Sequence, residues 1–155
     1  MSETSNNWSI RISFPSSQAA GKQVVEQVRE RLELAEWSPH DVFSVHLAVE
    51  EAIVNAIKHG NRHDASKQVR VACCGTPEKF WIEIIDEGLG FDPDQLPDPT
   101  AEENLECPCG RGVLLMRNFM SRVEFSDQGK RVVMEKHRAN PRPTTNPAAK
   151  PRDLH

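Results

Sequence analysis

Apolar and polar residues alternate in WSIRISF, where Trp8, Ile10, Ile12 and Phe14 take every second position. That period marks a strand buried on one face, and Pro15 closes it. Over residues 17–36 the spacing becomes helical through Val24, Val25, Val28, Leu32 and Leu34, with only Gly21 against it. Ser38 and Pro39 make an N-cap and first-turn pair for a second helix, which Gly60-Asn61 stops. KQVRVACCG and KFWIEIID read as two strands joined by the turn GTPE. Residues 87–110, with Gly88, Gly90, Pro93, Pro97, Pro99, Pro108 and Gly110, predict neither helix nor strand for long. Loops of that length in a compact domain are functional lids or disordered segments. A short helix is expected from about Arg111 to Met120, then a hairpin of SRVEFSD and RVVMEKH around QGK. There is no internal repeat.

Strand, two helices, hairpin, long loop, helix, hairpin: this order predicts an α+β fold, a two-layer sandwich with one mixed or antiparallel sheet covered on one face by helices. The last stretch, RANPRPTTNPAAKPRDLH, has little to bury. It predicts one domain over 1–137 and a disordered, Pro-rich basic tail over 138–155.

A length of 155 residues, with 27% charged and 37% hydrophobic residues, is ordinary for one globular domain. The net charge is -4, and the tail sets Arg138, Arg142, Lys150 and Arg152 against Asp153 alone, so the remainder is more acidic than the whole. This argues against direct nucleic-acid binding by phosphate neutralisation, and no such partner is expected. MSETSNNWSI lacks a basic then apolar leader pattern, and no run of about 18 apolar residues occurs, so neither export nor a membrane span is expected. Cys73, Cys74, Cys107 and Cys109 are accordingly expected as reduced thiols of a cytoplasmic protein.

The segment EEAIVNAIKHG puts polar groups into an otherwise apolar helix. At about 100° per residue, Asn55 lies about 40° and His59 about 80° from Glu51, a stripe climbing about 12 Å. Ser44 and Ala48 share the arc and, being small, are expected to leave room for a ligand; Val42, Val45, Val49, Ile53 and Ala56 lie opposite. Glu50 lies off the stripe, which makes Glu51 the better candidate. In KFWIEIID, Phe80, Ile82 and Ile84 share a face with Asp86, whose carboxylate should point toward the helices. A half-buried acid needs a donor, and a ring amino group of a ligand would be a selective one. Gly88 and Gly90 in EGLGF tolerate positive φ and close approach of a ligand. Gly110 and Gly112 in GRGVLLM open a helix, a natural seat for phosphate, which Arg111 either strengthens or leaves to solvent.

Taken in order, E51-A-I-V-N55-A-I-K-H59, D86-E-G88-L-G90-F and G110-R-G112-V-L-L-M resemble the nucleotide-binding boxes of the gyrase, heat-shock 90, histidine-kinase and MutL (Bergerat-fold) ATPase superfamily. Over roughly residues 8–137 the chain is most similar to the small bacterial anti-sigma-factor serine kinases. The resemblance implies ATP between helices and sheet, with Mg²⁺ on Asn55, the adenine amino group on Asp86, and Gly88 and Gly90 along the nucleotide. Gly110, Arg111 and Gly112 would line the phosphates, and His59 would touch phosphate or brace the lid. Glu51 matches the acid that orients or deprotonates the attacking nucleophile.

The implied activity is a Mg-ATP-dependent serine/threonine protein kinase acting on an anti-anti-sigma partner and sequestering a sigma factor, by analogy as a homodimer. The alternative is an ATP-binding partner-switching module without phosphotransfer. Metal or redox sensing through the cysteines has less support, because adjacent Cys73 and Cys74 in a strand point to opposite faces. The CPC stretch before the second glycine motif and the basic tail depart from the family pattern.

Overall fold

The computed structural model describes residues 7–88 and 108–139. The elements run β1 (Trp8–Pro15), α1 (Gln18–Leu34), α2 (Pro39–Asn55), a π-helical turn (Ala56–Gly60), β2 (Gln68–Gly75), β3 (Lys79–Ile85), α3 (Pro108–Phe119), β4 (Arg122–Ser126) and β5 (Arg131–His137), with a short 3-10 turn (Asp127–Gly129) joining β4 to β5. The strands form one sheet in the order β1-β2-β3-β5-β4, and every pairing is antiparallel.

Period-2 patterning puts one apolar set on the helix side of all five strands. Ile12 pairs with Val71, Val71 with Ile84, Ile84 with Val132 and Val132 with Phe125. Ile10, Cys73, Ile82, Met134 and Val123 make a parallel row. Helices α1 and α2 cover these rows with Val24, Val28, Leu32, Val45, Val49 and Ile53, all buried. Burying such a side chain is worth about 1.5–3 kcal/mol, so the rows dominate the core. Cys73 is part of it, and burial pushes its thiol up to about 12, an inert core residue at neutral pH. Among the described residues no helix is long and apolar enough to cross a membrane.

Helix starts follow the capping chemistry. Ser17 Oγ accepts from Ala20 N at 3.3 Å and Ser38 Oγ from Asp41 N at 3.1 Å, with Pro39 in the first turn of α2. Gly21, the misfit in the α1 pattern, has a packing cause. A Cβ there would sit 2.8 Å from Ile53 Cγ2 and 3.1 Å from Ile57 Cδ1, so the bare backbone is what lets α1 approach α2.

Two boundaries differ from the sequence reading. Helix α3 begins at Pro108, three residues before Arg111, so Gly110 and Gly112 lie inside its first turns. Arg138, assigned above to the tail, belongs to the fold. Its guanidinium donates to the Pro77 and Ala35 carbonyls at 3.1 Å each and also to that of Glu36, and it lies over the Trp37 ring at 5.3 Å. Ala139 N donates to Asp41 Oδ2 at 2.9 Å. The Pro-rich composition of the stretch masks this capture, because one Arg with three carbonyl acceptors and an aromatic face suffices to pin the chain. The rest of the tail, residues 140–155, lies outside the described residues.

Candidate functional site

The helix-facing row of β3, Phe80, Ile82 and Ile84, ends in Asp86, which is 8% exposed. Its Oδ1 accepts from Gly88 N at 2.8 Å, and its own N–H donates to the Lys130 carbonyl at 2.9 Å. Burial raises the Asp86 pKa above the ordinary carboxylate value, opposed in part by the Gly88 N–H and by the charges of Lys130 and Lys67. Lys130 follows three residues in the left-handed region, Asp127 (φ 54°), Gln128 (φ 57°) and Gly129 (φ 88°). Such strain, about 1–3 kcal/mol for a non-glycine residue, is tolerated where a turn must present a particular group, and here that group is the carbonyl of Lys130.

Across from Asp86 stands the end of α2. Asn55 and Asp86 line one cleft, together with Ala52, Gly60, Met116 and Lys130. Asn55 Oδ1 is buried and, among the described residues, receives no hydrogen bond. An orphaned amide oxygen of this kind costs about 1–3 kcal/mol, and a hard cation or a donor of a ligand would relieve it. One turn back, Glu51 is half-buried, and burial, followed by the neighbouring charge of Glu50, raises its pKa against the pull of Lys58. Glu50 itself is exposed, in line with the phase argument. Gly112 of α3 closes over both groups; a Cβ there would collide with the Glu51 carboxylate and stand 2.8 Å from Asn55 Nδ2. The cleft holds about 20 Å³, room for about one water.

Parts of the expected stripe are arranged differently. Ser44 and Ala48, at 1% and 0% exposed, leave no room for a ligand. Helix α3 runs along this side of α2, with Phe43 edge-on to Phe119 at 6.4 Å, and small residues serve close helix packing there instead. Beyond Asn55 the helix widens into the π turn, so the α-helical phase assigned to His59 no longer applies. His59 does not line the cleft; its Nε2 is buried without a partner among the described residues, and burial, then Lys58 and His63, hold its pKa below the usual imidazole value. Gly88 needs its missing side chain for the protein's own backbone: a Cβ there would overlap the Gly60 carbonyl oxygen. Its φ is not positive, so the turn does not draw on the left-handed freedom that a glycine offers. Gly90, Cys107 and the rest of residues 89–107, the greater part of the lid expected over 87–110, lie outside the described residues, and so does the side chain of Arg111. No group of three or more His, Cys, Asp or Glu that could hold a metal occurs among the described residues.

Two residues of the site carried no role in the sequence reading. Lys130 looks like a turn residue, yet it supplies the backbone acceptor and a charge for Asp86. Asn61 looks like a helix stop, yet it is 1% exposed and joins three segments behind Asp86. The only local signal was an Asn where any breaker would serve.

The raised pKa of Asp86 has a measurable consequence. A carboxyl that holds its proton more tightly folded than unfolded stabilises most at the acid end, and stability falls as pH rises through the raised pKa. Asp86→Asn keeps the acceptor for Gly88 N–H but cannot ionise. It is expected to raise Tm at neutral pH and to flatten the fall in Tm as pH rises above the ordinary carboxylate range. Thermal melts across that rise in pH, with an unchanged slope as the contrary result, check this.

Residues 14–136 match the histidine kinase-like ATPase domain family. Similar relatives are the anti-sigma F factors of Clostridium perfringens (30% identity, 62% of this chain and 72% of that protein), Oceanobacillus iheyensis (31%, 62% and 69%) and Clostridium beijerinckii (32%, 62% and 71%). In architecture the chain is similar to a crystal structure of the RsbU and RsbW domains of a Mycobacterium tuberculosis protein, with TM-score 0.56 and 18% identity over 84% of this chain and 32% of that one. The chain thus spans about a third of the crystallised chain, and the likeness is one of fold.

Proposed function

The chain belongs to the histidine kinase-like ATPase domain family, and on that premise we propose that it is a Mg-ATP-dependent serine/threonine protein kinase of the anti-sigma-factor type. It phosphorylates an anti-anti-sigma partner and sequesters a sigma factor. The relatives named anti-sigma F factor support this partner class. A cytoplasmic site of action and a homodimer go with the reading.

One observation carries it: Asn55 and Asp86 line the same cleft, and the amide oxygen of Asn55 is buried there without a donor among the described residues. A neutral, hard oxygen suits Mg²⁺, which keeps several waters and needs few protein ligands. Asn55 would therefore hold the metal, and Asp86 would accept from the amino group of adenine. Gly110, Arg111 and Gly112 would line the phosphates, with Gly88 and Gly90 along the nucleotide; His59 would reach phosphate or brace the lid. When bound, Mg-ATP supplies the electrophilic γ-phosphoryl group and the neutralising charge. Glu51, beside Asn55 and half out of water, would take the proton of the substrate hydroxyl. A cleft of about 20 Å³ has no room for a purine, so the elements around it must open for the nucleotide to enter.

Calorimetry with ATP, with and without Mg²⁺, tests the arrangement. Wild type is expected to bind about tenfold or more tightly with the metal, and Asn55→Ala to lose that dependence. No uptake of ATP by wild type, or an equal metal effect in the variant, would overturn the reading.

A further inference from the structure

Asn61 follows the π turn and closes it, its N–H donating to the Ala56 carbonyl at 2.8 Å. Its side chain spends both amide hydrogens and one lone pair of its oxygen on other segments. Nδ2 donates to Ser16 Oγ at 2.8 Å, just past β1, and to the Gln68 carbonyl at 3.0 Å, at the start of β2. Oδ1 accepts from Glu87 N at 2.7 Å, just past β3. The opposite amide orientation would set donor against donor at Glu87 and acceptor against acceptor at Gln68, so the network fixes the flip. Ser16 passes the chain on to the Lys67 carbonyl at 3.0 Å, and Glu87 Oε1 accepts from Gln68 N at 3.2 Å.

The Glu87 nitrogen belongs to the Asp86–Glu87 peptide plane, which is rigid. The other side of Asp86 is held at its own N–H by Lys130. With both flanking planes pinned, the Cα–Cβ bond of Asp86 is aimed at the cleft it shares with Asn55, and the Gly88 N–H, donating to Oδ1 at 2.8 Å, holds the carboxylate there. We propose that Asn61 is the positioning residue of the base pocket: by holding the Asp86–Glu87 plane it aims the Asp86 carboxylate and sets the preference for a purine that carries an exocyclic amino group. This rests on the adenine role proposed for Asp86.

The test compares three variants. Asn61→Ala removes every contact. Asn61→Asp keeps an acceptor for Glu87 N–H but loses the donors to Ser16 and Gln68, and Ser16→Ala weakens the framework side only. Calorimetry gives the preference for ATP over inosine triphosphate, which has an oxo group in place of the amine, and hydrogen exchange follows the Glu87 amide. In Asn61→Ala the preference is expected to fall about tenfold and Glu87 to exchange faster. Asn61→Asp and Ser16→Ala are expected to stay within about threefold of wild type in preference, whatever Tm they lose.

A folded Asn61→Ala with the wild-type preference overturns the proposal, as does an equal loss in Ser16→Ala. Should Asn61→Ala fail to fold, Asn61→Asp decides, since retention of the preference supports the proposal and its loss overturns it. A wild type that takes both nucleotides equally would remove the adenine role of Asp86. In that case exchange at Glu87 alone decides whether Asn61 holds the turn.

Discussion

Glu51→Gln is expected to slow phosphoryl transfer to a partner serine by at least about 100-fold while leaving ATP affinity within about threefold. Glutamine has the same shape, so the contact with Gly112 and the packing beside Asn55 survive; only the capacity to accept a proton is lost. Burial raises the pKa of Glu51, and a carboxylate with a raised pKa is a better proton acceptor in the transition state. Labelled ATP with an anti-anti-sigma partner is the assay. Equal transfer by wild type and variant would remove the base from the mechanism. No phosphoserine from wild type, with nucleotide-dependent partner binding intact, would leave a module that uses ATP as a conformational ligand.

Gly88→Ala is expected to weaken ATP binding by about 100-fold and to cost about 3 kcal/mol or more of stability, because the new methyl meets backbone. The added Cβ would overlap the Gly60 carbonyl oxygen and come within 3.0 Å of the Gly60 Cα, neither of which can swing aside. The turn after β3 and the turn after α2 must then separate, carrying Asp86 away from Asn55. Gly60→Ala offers the contrast. Its Cβ would press on the Asp86 carboxylate, 2.7 Å from Oδ1, and a side chain can rotate away, so stability should fall less while base recognition suffers. Urea unfolding and calorimetry on the two variants separate these outcomes; a Gly88→Ala protein of wild-type stability would contradict the close approach.

What the sequence made legible was local. Asp86 points to the helices because parity along KFWIEIID leaves it no other face, and the caps at Ser17 and Ser38 act within three residues. Asn55 and Glu51 share a face because four residues in an α-helix bring them there. Phase arithmetic stops at Asn55, since the wider turn that follows leads to Gly60, packed on Asp86 from a distant strand. Ser44 and Ala48 misled because a small side chain is equally suited to admit a ligand or a neighbouring helix. The bonds of Asn61 reach residues 16, 68 and 87, and no window of local sequence contains them.

The strand order bears on how quickly the chain acquires its shape. β1 is made first in synthesis yet pairs only with β2, joining Phe14 to Val69, and β3 likewise waits for β5, joining Ile84 to Val132. Helices α1 and α2 are neighbours in sequence and can dock early, whereas both long closures come later and set a slow pace for refolding. Until β2 arrives, the apolar side of WSIRISF is bare, and the nascent protein passes through an interval in which it is prone to stick to its own kind.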